Sequence, residues 1–271
     1  MRKISSLPSP VLAGVVKEKT AKSAIAEINN CLYDGAGMID LHMSCLENTD
    51  TETLRSIFSA SKLPILALNY NVDYYGIPCG YNEEERIAMF RRAVDAGADG
   101  IDMQGYTFDL SAKENFKGED KYSFTKGNPR EIVTDEAVIS KQCEFIEEIH
   151  SKGAEVLLSC HPGISMTAET VVELALFLER RGPDIIKIVT VAEKEEDLVE
   201  SIRAMQLLKH EVKTKVSYHA SGIAGSLSRI INPILGGHMI FCVDRYSESS
   251  IMEQLDLKTV KRIVEDLKKI K

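Results

Sequence analysis

The chain has no C-x-x-C pair among its six cysteines (Cys31, Cys45, Cys79, Cys143, Cys160 and Cys242), no cysteine and histidine spacing of the zinc-binding kind, and no run approaching the roughly 18 apolar residues of a membrane helix. These absences exclude a dithiol redox motif and a zinc module, and leave no candidate helical membrane anchor. Positive charge is also short: 33 Lys and Arg against 41 Asp and Glu give a formal charge of −8 and a pI near 5.4. Such a chain offers no basic face able to neutralise a row of phosphates, so nucleic acid is not an expected partner. The opening Met1-Arg2-Lys3-Ile4-Ser5-Ser6-Leu7-Pro8 lacks the apolar core of a secretion signal. The cysteines are therefore read as reduced, mostly buried thiols in a cytoplasmic protein. Neither an internal repeat nor a low-complexity tract is present.

What remains is an ordinary globular composition, 44% hydrophobic and 27% charged, over 271 residues. That length is close to the roughly 250 residues of one α/β barrel, and a single domain over residues 1–271 is expected. Short β-rich apolar runs recur at Val11–Val16, Met38–Met43, Pro64–Asn69, Gly100–Gln104, Glu155–Ser159, Ile185–Thr190, Lys215–His219 and Met239–Val243. Amphipathic segments separate them, so the pattern implies parallel βα units, and eight units predict a single (β/α)8, or TIM, barrel of the α/β class. A doubly wound open sheet is the competing fold. No G-x-G-x-x-G follows the first run, which leaves its dinucleotide-binding version without support.

Several helix ends are marked. Asn82-Glu83-Glu84-Glu85 sets a cap and acidic residues at the start of a helix that ends at Ala96-Gly97. Thr167-Ala168-Glu169-Thr170 opens another that closes near Arg181-Gly182-Pro183. Two connections, Tyr70–Tyr81 and above all Tyr106–Glu131 after the fourth strand, are longer than a compact βα unit needs. In a barrel such loops lie on the face of the active site, as lids or as plain surface excursions, and the sequence leaves both open.

The chemistry-bearing residues stand out against this apolar background. Lys187 lies within Asp184-Ile185-Ile186-Lys187-Ile188-Val189-Thr190, a run otherwise suited to a strand buried on both faces. Burial disfavours an ammonium ion and frees the nitrogen to attack a carbonyl carbon, whereas a lysine snorkelling to a strand end or paired with Asp184 is the plainer reading. His161 closes the preceding strand, where catalytic groups of barrels collect, and an imidazole there can take and return a proton or merely satisfy a loop carbonyl. The two on adjacent strands say more than either alone. Arg229, after the seventh strand, offers a planar fork to a carboxylate or phosphate, or is a surface residue. His42 and His219 fall at strand ends and are pocket candidates, and their separation argues against a metal site. Gly236-Gly237 reads first as a plain turn.

The segments Gly97-Ala98-Asp99-Gly100-Ile101-Asp102, Ser159-Cys160-His161, Asp184-Ile185-Ile186-Lys187-Ile188 and Ser228-Arg229 resemble, in order and approximate spacing, the motifs of the type I 3-dehydroquinate dehydratases. The likeness runs over most of the chain. It implies that Lys187 forms an imine, that His161 is the general acid and base, that Arg229 anchors a carboxylate, and that Gln254 matches the glutamine of a late substrate loop. It also implies a lyase that dehydrates 3-dehydroquinate to 3-dehydroshikimate without metal or organic cofactor, a place in the shikimate pathway of aromatic amino acid biosynthesis, and a homodimer.

The departures concern the groups that read the substrate. Asp40 stands for a longer acid and His42 for an arginine in Ile39-Asp40-Leu41-His42. Asn69 takes the place of another arginine, Gln104 that of an acid, and Tyr218-His219-Ala220-Ser221 replaces a methionine-containing run. Asp40, His42, Asn69, His219 and Gln254 are accordingly the expected substrate-binding set beside Arg229. Two alternatives stay open: a Schiff-base lyase or class I aldolase-like enzyme acting on another keto acid, and a non-catalytic ligand-binding descendant.

Overall fold

The computed structural model describes residues 2–70, 82–109, 132–246 and 254–269. Eight strands alternate with eight α-helices along these segments: β1 (Val11–Val16), α1 (Ala21–Asp34), β2 (Met38–His42), α2 (Thr51–Ala60), β3 (Ile65–Leu68), α3 (Glu83–Ala96), β4 (Gly100–Gln104), α4 (Glu136–Ser151), β5 (Glu155–Cys160), α5 (Ala168–Glu179), β6 (Ile185–Val191), α6 (Glu195–Glu211), β7 (Lys215–Ser221), α7 (Ser228–Leu235), β8 (Met239–Cys242) and α8 (Leu257–Lys268). The sheet order is β7-β6-β5-β4-β3-β2-β1-β8. All eight strands are parallel, in a nearly closed (β/α)8 barrel, as the alternation predicts. His238, which leads into β8, donates its backbone N–H to Val216 of β7 at 2.7 Å. Among the described residues no helix is long and apolar enough to cross a membrane.

The strands run almost unbroken in buried residues because helices cover one face and packed side chains fill the other. β1 and β4 keep their expected bounds, and the ends of the others shift by one or two residues. β2 stops at His42 because Met43–Cys45 winds into a 3-10 turn. β6 and β7 run on to Val191 and Ser221, which still pair with one another. Residues 71–81 and 110–131, the bulk of the two long connections, lie outside the described residues.

The chain divides into two compact units, Met1–Asp102 with Lys152–Glu155 and Met239–Lys271, and Met103–Ser151 with Val156–His238. In the first, Gly14 lets α1 lie directly on β1, since a Cβ there would meet Cys31 Sγ at 2.8 Å. The expected cap at the start of α3 is present and is closed into a capping box, with Asn82 accepting from the Glu85 N–H and the Glu85 carboxylate accepting from the Asn82 N–H. Gly97 ends that helix in the left-handed region, at φ 104 to 111° as Gly35 does for α1.

In the second unit, the hydroxyls of Thr190 and Tyr218 meet at 3.0 Å on the helix-covered side of β6 and β7. Side chains alternate along a strand, so Lys187 and Val189 of β6 and their partners Ser217 and His219 of β7 turn to the opposite face. Ser159 of β5 pairs with Lys187 and joins them. α5 ends at Glu179, just before the expected Arg181-Gly182-Pro183 exit, where Gly182 takes φ 76° and the Arg181 side chain turns inward. Its guanidinium donates to Gln142 Oε1 at 2.6 Å and to the Val133 carbonyl at 2.9 Å, and burial brings its pKa down to about 10.

Candidate active site

Lys187 is the third residue of β6 and is 6% exposed. A lysine in a strand rich in Ile and Val keeps that position only with polar company, and the register supplies it. Ser159 flanks Lys187 on β5 and Ser217 flanks it on β7. His161 follows Cys160, which pairs with Ile188, and therefore stands at the level of Val189, whose partner is His219. Both histidines are buried. One row toward the C-terminal strand ends thus carries two imidazoles, and the row beneath carries the amine between two hydroxyls.

Arg229 is half-buried in the first turn of α7 rather than in a loop. Its placement follows from the residues before it. Gly225 passes so close to β7 that a Cβ would meet the Ala220 carbonyl carbon and oxygen at 2.8 Å. The Ser228 hydroxyl then accepts the Ala220 N–H at 2.8 Å and donates to the Gly225 carbonyl at 2.6 Å. Ser228 pins the helix start to the strand, and the next residue is Arg229. Burial, and after it the charges of Arg229, Lys187 and His161, push the His219 imidazole well below its ordinary pKa. All four groups therefore lie within electrostatic reach of one point, and His219 is neutral at neutral pH.

The first unit holds the other expected residues. Asp40 and His42 lie two apart on β2, on one face, with Nε2 of His42 3.5 Å from Oδ2 of Asp40 and the His42 ring edge-on to Tyr70 at 6.3 Å. Asp40 Oδ1, His42 Nδ1, Ser44 Oγ, Asn69 Oδ1 and Gln254 Oε1 are buried without a hydrogen-bond partner among the described residues. Such atoms cost about 1–3 kcal/mol each when left unmet.

Asn69 is oriented differently from its neighbours on β2. It follows Leu68, which pairs with Asp102 and lies at the level of His42, so the alternation turns Asn69 toward α3. There its side-chain amide donates to Met89 Sδ at 2.8 Å, while its backbone carbonyl accepts from Arg86 at 3.2 Å. Arg86 is wholly buried, forked onto Glu83 at 2.7 Å and stacked on Phe90. Gln254 is buried just before α8, its backbone carbonyl accepting from the Tyr246 hydroxyl at 2.9 Å. Gly236 caps α7, as the plain-turn reading of Gly236-Gly237 has it.

Sequence reasoning passed over Ser159, Ser217 and Ser44, because a serine in an apolar run gives little contrast. Ser217 Oγ, beside Lys187, is buried and without a partner among the described residues. Asp102, buried on the face of β4 that carries Leu68's partner, was visible only as part of a motif. An open cleft of about 270 Å³ lined by Leu7, Pro10, Val11, Gly37, Lys261 and Val264 lies at the N-terminal end of β1, away from the end where Asp40 and His42 stand.

A family model described as type I 3-dehydroquinase matches residues 128–271. A 3-dehydroquinate dehydratase of Aromatoleum aromaticum is 22% identical over 211 residues, 78% of this chain and 70% of that one. Among solved structures, the 3-dehydroquinate dehydratase of Geobacillus kaustophilus is similar with a TM-score of 0.78 at 16% identity, over 99% of this chain and 96% of that one. The type I 3-dehydroquinate dehydratase of Clostridium difficile, solved with covalently modified comenic acid, gives a TM-score of 0.76 at 16% identity over 97% and 94%.

Proposed function

The chain belongs to the type I 3-dehydroquinase family, and on that premise we propose that it is a lyase that dehydrates 3-dehydroquinate to 3-dehydroshikimate through a Schiff base on Lys187. The observation that carries this reading is a buried lysine between two serines, one strand level beneath His161 and His219, with Arg229 within electrostatic reach.

The Lys187 amine adds to the C3 ketone and the carbinolamine loses water, leaving a protonated imine. That cation draws electrons from the neighbouring carbon, so His161 can remove the C2 proton. The enamine expels the C1 hydroxyl, protonated as it leaves, as water. Hydrolysis of the product imine consumes one water, releases 3-dehydroshikimate and restores the amine, for a net loss of one water. Arg229 presents two parallel N–H groups to the ring carboxylate. His219, kept neutral, donates or accepts a hydrogen bond without adding a second positive charge beside the imine.

Asp40, His42, Asn69 and Gln254 are assigned to substrate binding on the resemblance and on their unmet polar atoms. The Asn69 side chain is turned toward α3 and engaged by Met89, on the face opposite His42, which weighs against its share of that work. This supports a second reading, in which the same imine chemistry serves another hydroxylated keto acid. The family resemblance also underlies our assignment of a homodimer working in the cytoplasm.

The test is formation of the conjugated enone from 3-dehydroquinate, followed by its ultraviolet absorbance. Turnover that is lost in Lys187→Ala supports the proposal. Absence of turnover with 3-dehydroquinate, alongside turnover of a different keto acid in a metabolite screen, moves the assignment to the second reading. Ligand-dependent thermal stabilisation with no turnover of any ketone would make the protein a binding descendant.

A further inference from the structure

Lys17 is the residue after β1, and the register carries it into the Asp40 group. Val15 pairs with Asp40 and Val16 with Leu41, so Lys17 stands at the level of His42 and on the face of Asp40. The loop that bears it is fixed on both sides. Glu47 donates its backbone N–H to the Lys19 carbonyl at 2.8 Å, and Thr20 caps α1 with a box closed by Ser23. The 3-10 turn Met43–Cys45 thereby lies against the end of β1. Burial pulls the Lys17 amine below its ordinary pKa, with Cys45 and Asp40 acting in the opposite sense through their charges. The Lys17 amine is thus within electrostatic reach of Asp40, on the face where Asp40 Oδ1 and His42 Nδ1 are buried with no hydrogen-bond partner among the described residues.

We propose that Lys17 is a specificity-determining residue that supplies the positive hydrogen-bond donor of the Asp40–His42 group and reads a ring hydroxyl of the substrate. The chemistry is complementary: an alcohol O–H donates to Asp40 Oδ1 while its oxygen accepts from Lys17 Nζ, and His42 Nδ1 and Ser44 Oγ serve an adjacent hydroxyl. A compact ammonium with three donors takes over work for which the sequence offers no guanidinium on β2. This inference rests on the Schiff-base reading, since the hydroxyls belong to the ketone that Lys187 captures.

The experiment compares borohydride trapping of two ketones by the intact protein: 3-dehydroquinate, and 3-oxocyclohexane-1-carboxylate, which keeps ketone and carboxylate but lacks the hydroxyls. In Lys17→Met the half-saturating concentration for 3-dehydroquinate should rise about tenfold or more, the size of one lost charge-assisted hydrogen bond, with little change for the deoxygenated ketone. Lys17→Arg should recover most of the loss. If Lys17→Met shifts both ketones equally, or neither, while wild type forms adducts, Lys17 does not read a hydroxyl and the inference fails alone. If wild type traps neither ketone, the 3-dehydroquinate reading fails and takes this inference with it.

Discussion

Lys187 of β6 stands in register with Ser217 of β7, and the buried hydroxyl of that serine has no hydrogen-bond partner among the described residues. A hydroxyl left unmet next to a buried amine is costly in the empty protein and useful once a ligand arrives. Ser217→Ala should therefore leave the melting temperature unchanged or raise it, because no bond is removed, while slowing turnover about tenfold, about 1.4 kcal/mol of barrier. Thermal melts and kcat measured on the same preparation check this. A lower melting temperature with unchanged kcat would make the serine structural.

Ser228 is expected to behave in the opposite way. Its hydroxyl joins the Ala220 N–H to the Gly225 carbonyl, and Arg229 follows it. Ser228→Ala strands a buried N–H and should cost about 1–3 kcal/mol of stability. Denaturant unfolding gives that figure. Because Arg229 loses its fixed starting point, KM should rise more than kcat falls.

His219 and Asp244 set opposite slopes of stability against pH. The His219 pKa lies below its unfolded value, chiefly through burial, so its contribution is present above the unfolded value of about 6.5 and is lost as pH falls. His219→Gln should flatten the decline in unfolding midpoint between about pH 7 and pH 5. A decline of equal steepness in the variant would contradict the assignment.

Asp244 is pushed up to about 6, first by burial, then by its hydrogen bond with Asp34 and the charges of Glu27 and Asp34. Its folded pKa exceeds the unfolded value, so the stability it contributes is complete below about 4 and is lost as pH rises through about 6. Asp244→Asn should melt higher than wild type at pH 7.5 and together with it near pH 4. Melting curves at the two pH values separate this from a general surface-charge effect, which would persist at both.

Much of the barrel was legible because each strand is a short apolar run between amphipathic segments, and all eight runs became strands. The ends of β1 and β4 were legible too, whereas the other strands shifted at one or both ends, since a strand stops where its partner stops pairing. Asn69 shows the consequence: β3 ends at Leu68, and one step of alternation turns the amide to Met89 instead of the face that bears His42. Lys187, His161 and His219 were visible as polar residues at apolar or strand-end positions. Lys17 was not, because a lysine just past a strand resembles any solvated residue until the register sets it beside Asp40.

The family match has a matching asymmetry. Residues 128–271 contain His161, Lys187, His219 and Arg229, whereas Asp40, His42 and Asn69 precede them. On the proposed assignment, the imine-forming lysine falls in the matched stretch together with the altered His219 and Gln254, and the altered Asp40 and His42 fall before it. Hydrogen-bonding sites discriminate strongly between ligands that do and do not match them, so on the proposed assignment change in these groups alters the substrate before the reaction.

The central claim is that Lys187 is the imine-forming amine, and reductive trapping tests it most directly. Protein incubated with 3-dehydroquinate and sodium borohydride, digested and mapped by mass spectrometry, should carry the reduced ligand on the peptide containing Lys187, and Lys187→Met should carry none. An adduct on a different lysine, or an equal adduct in the variant, would contradict the account.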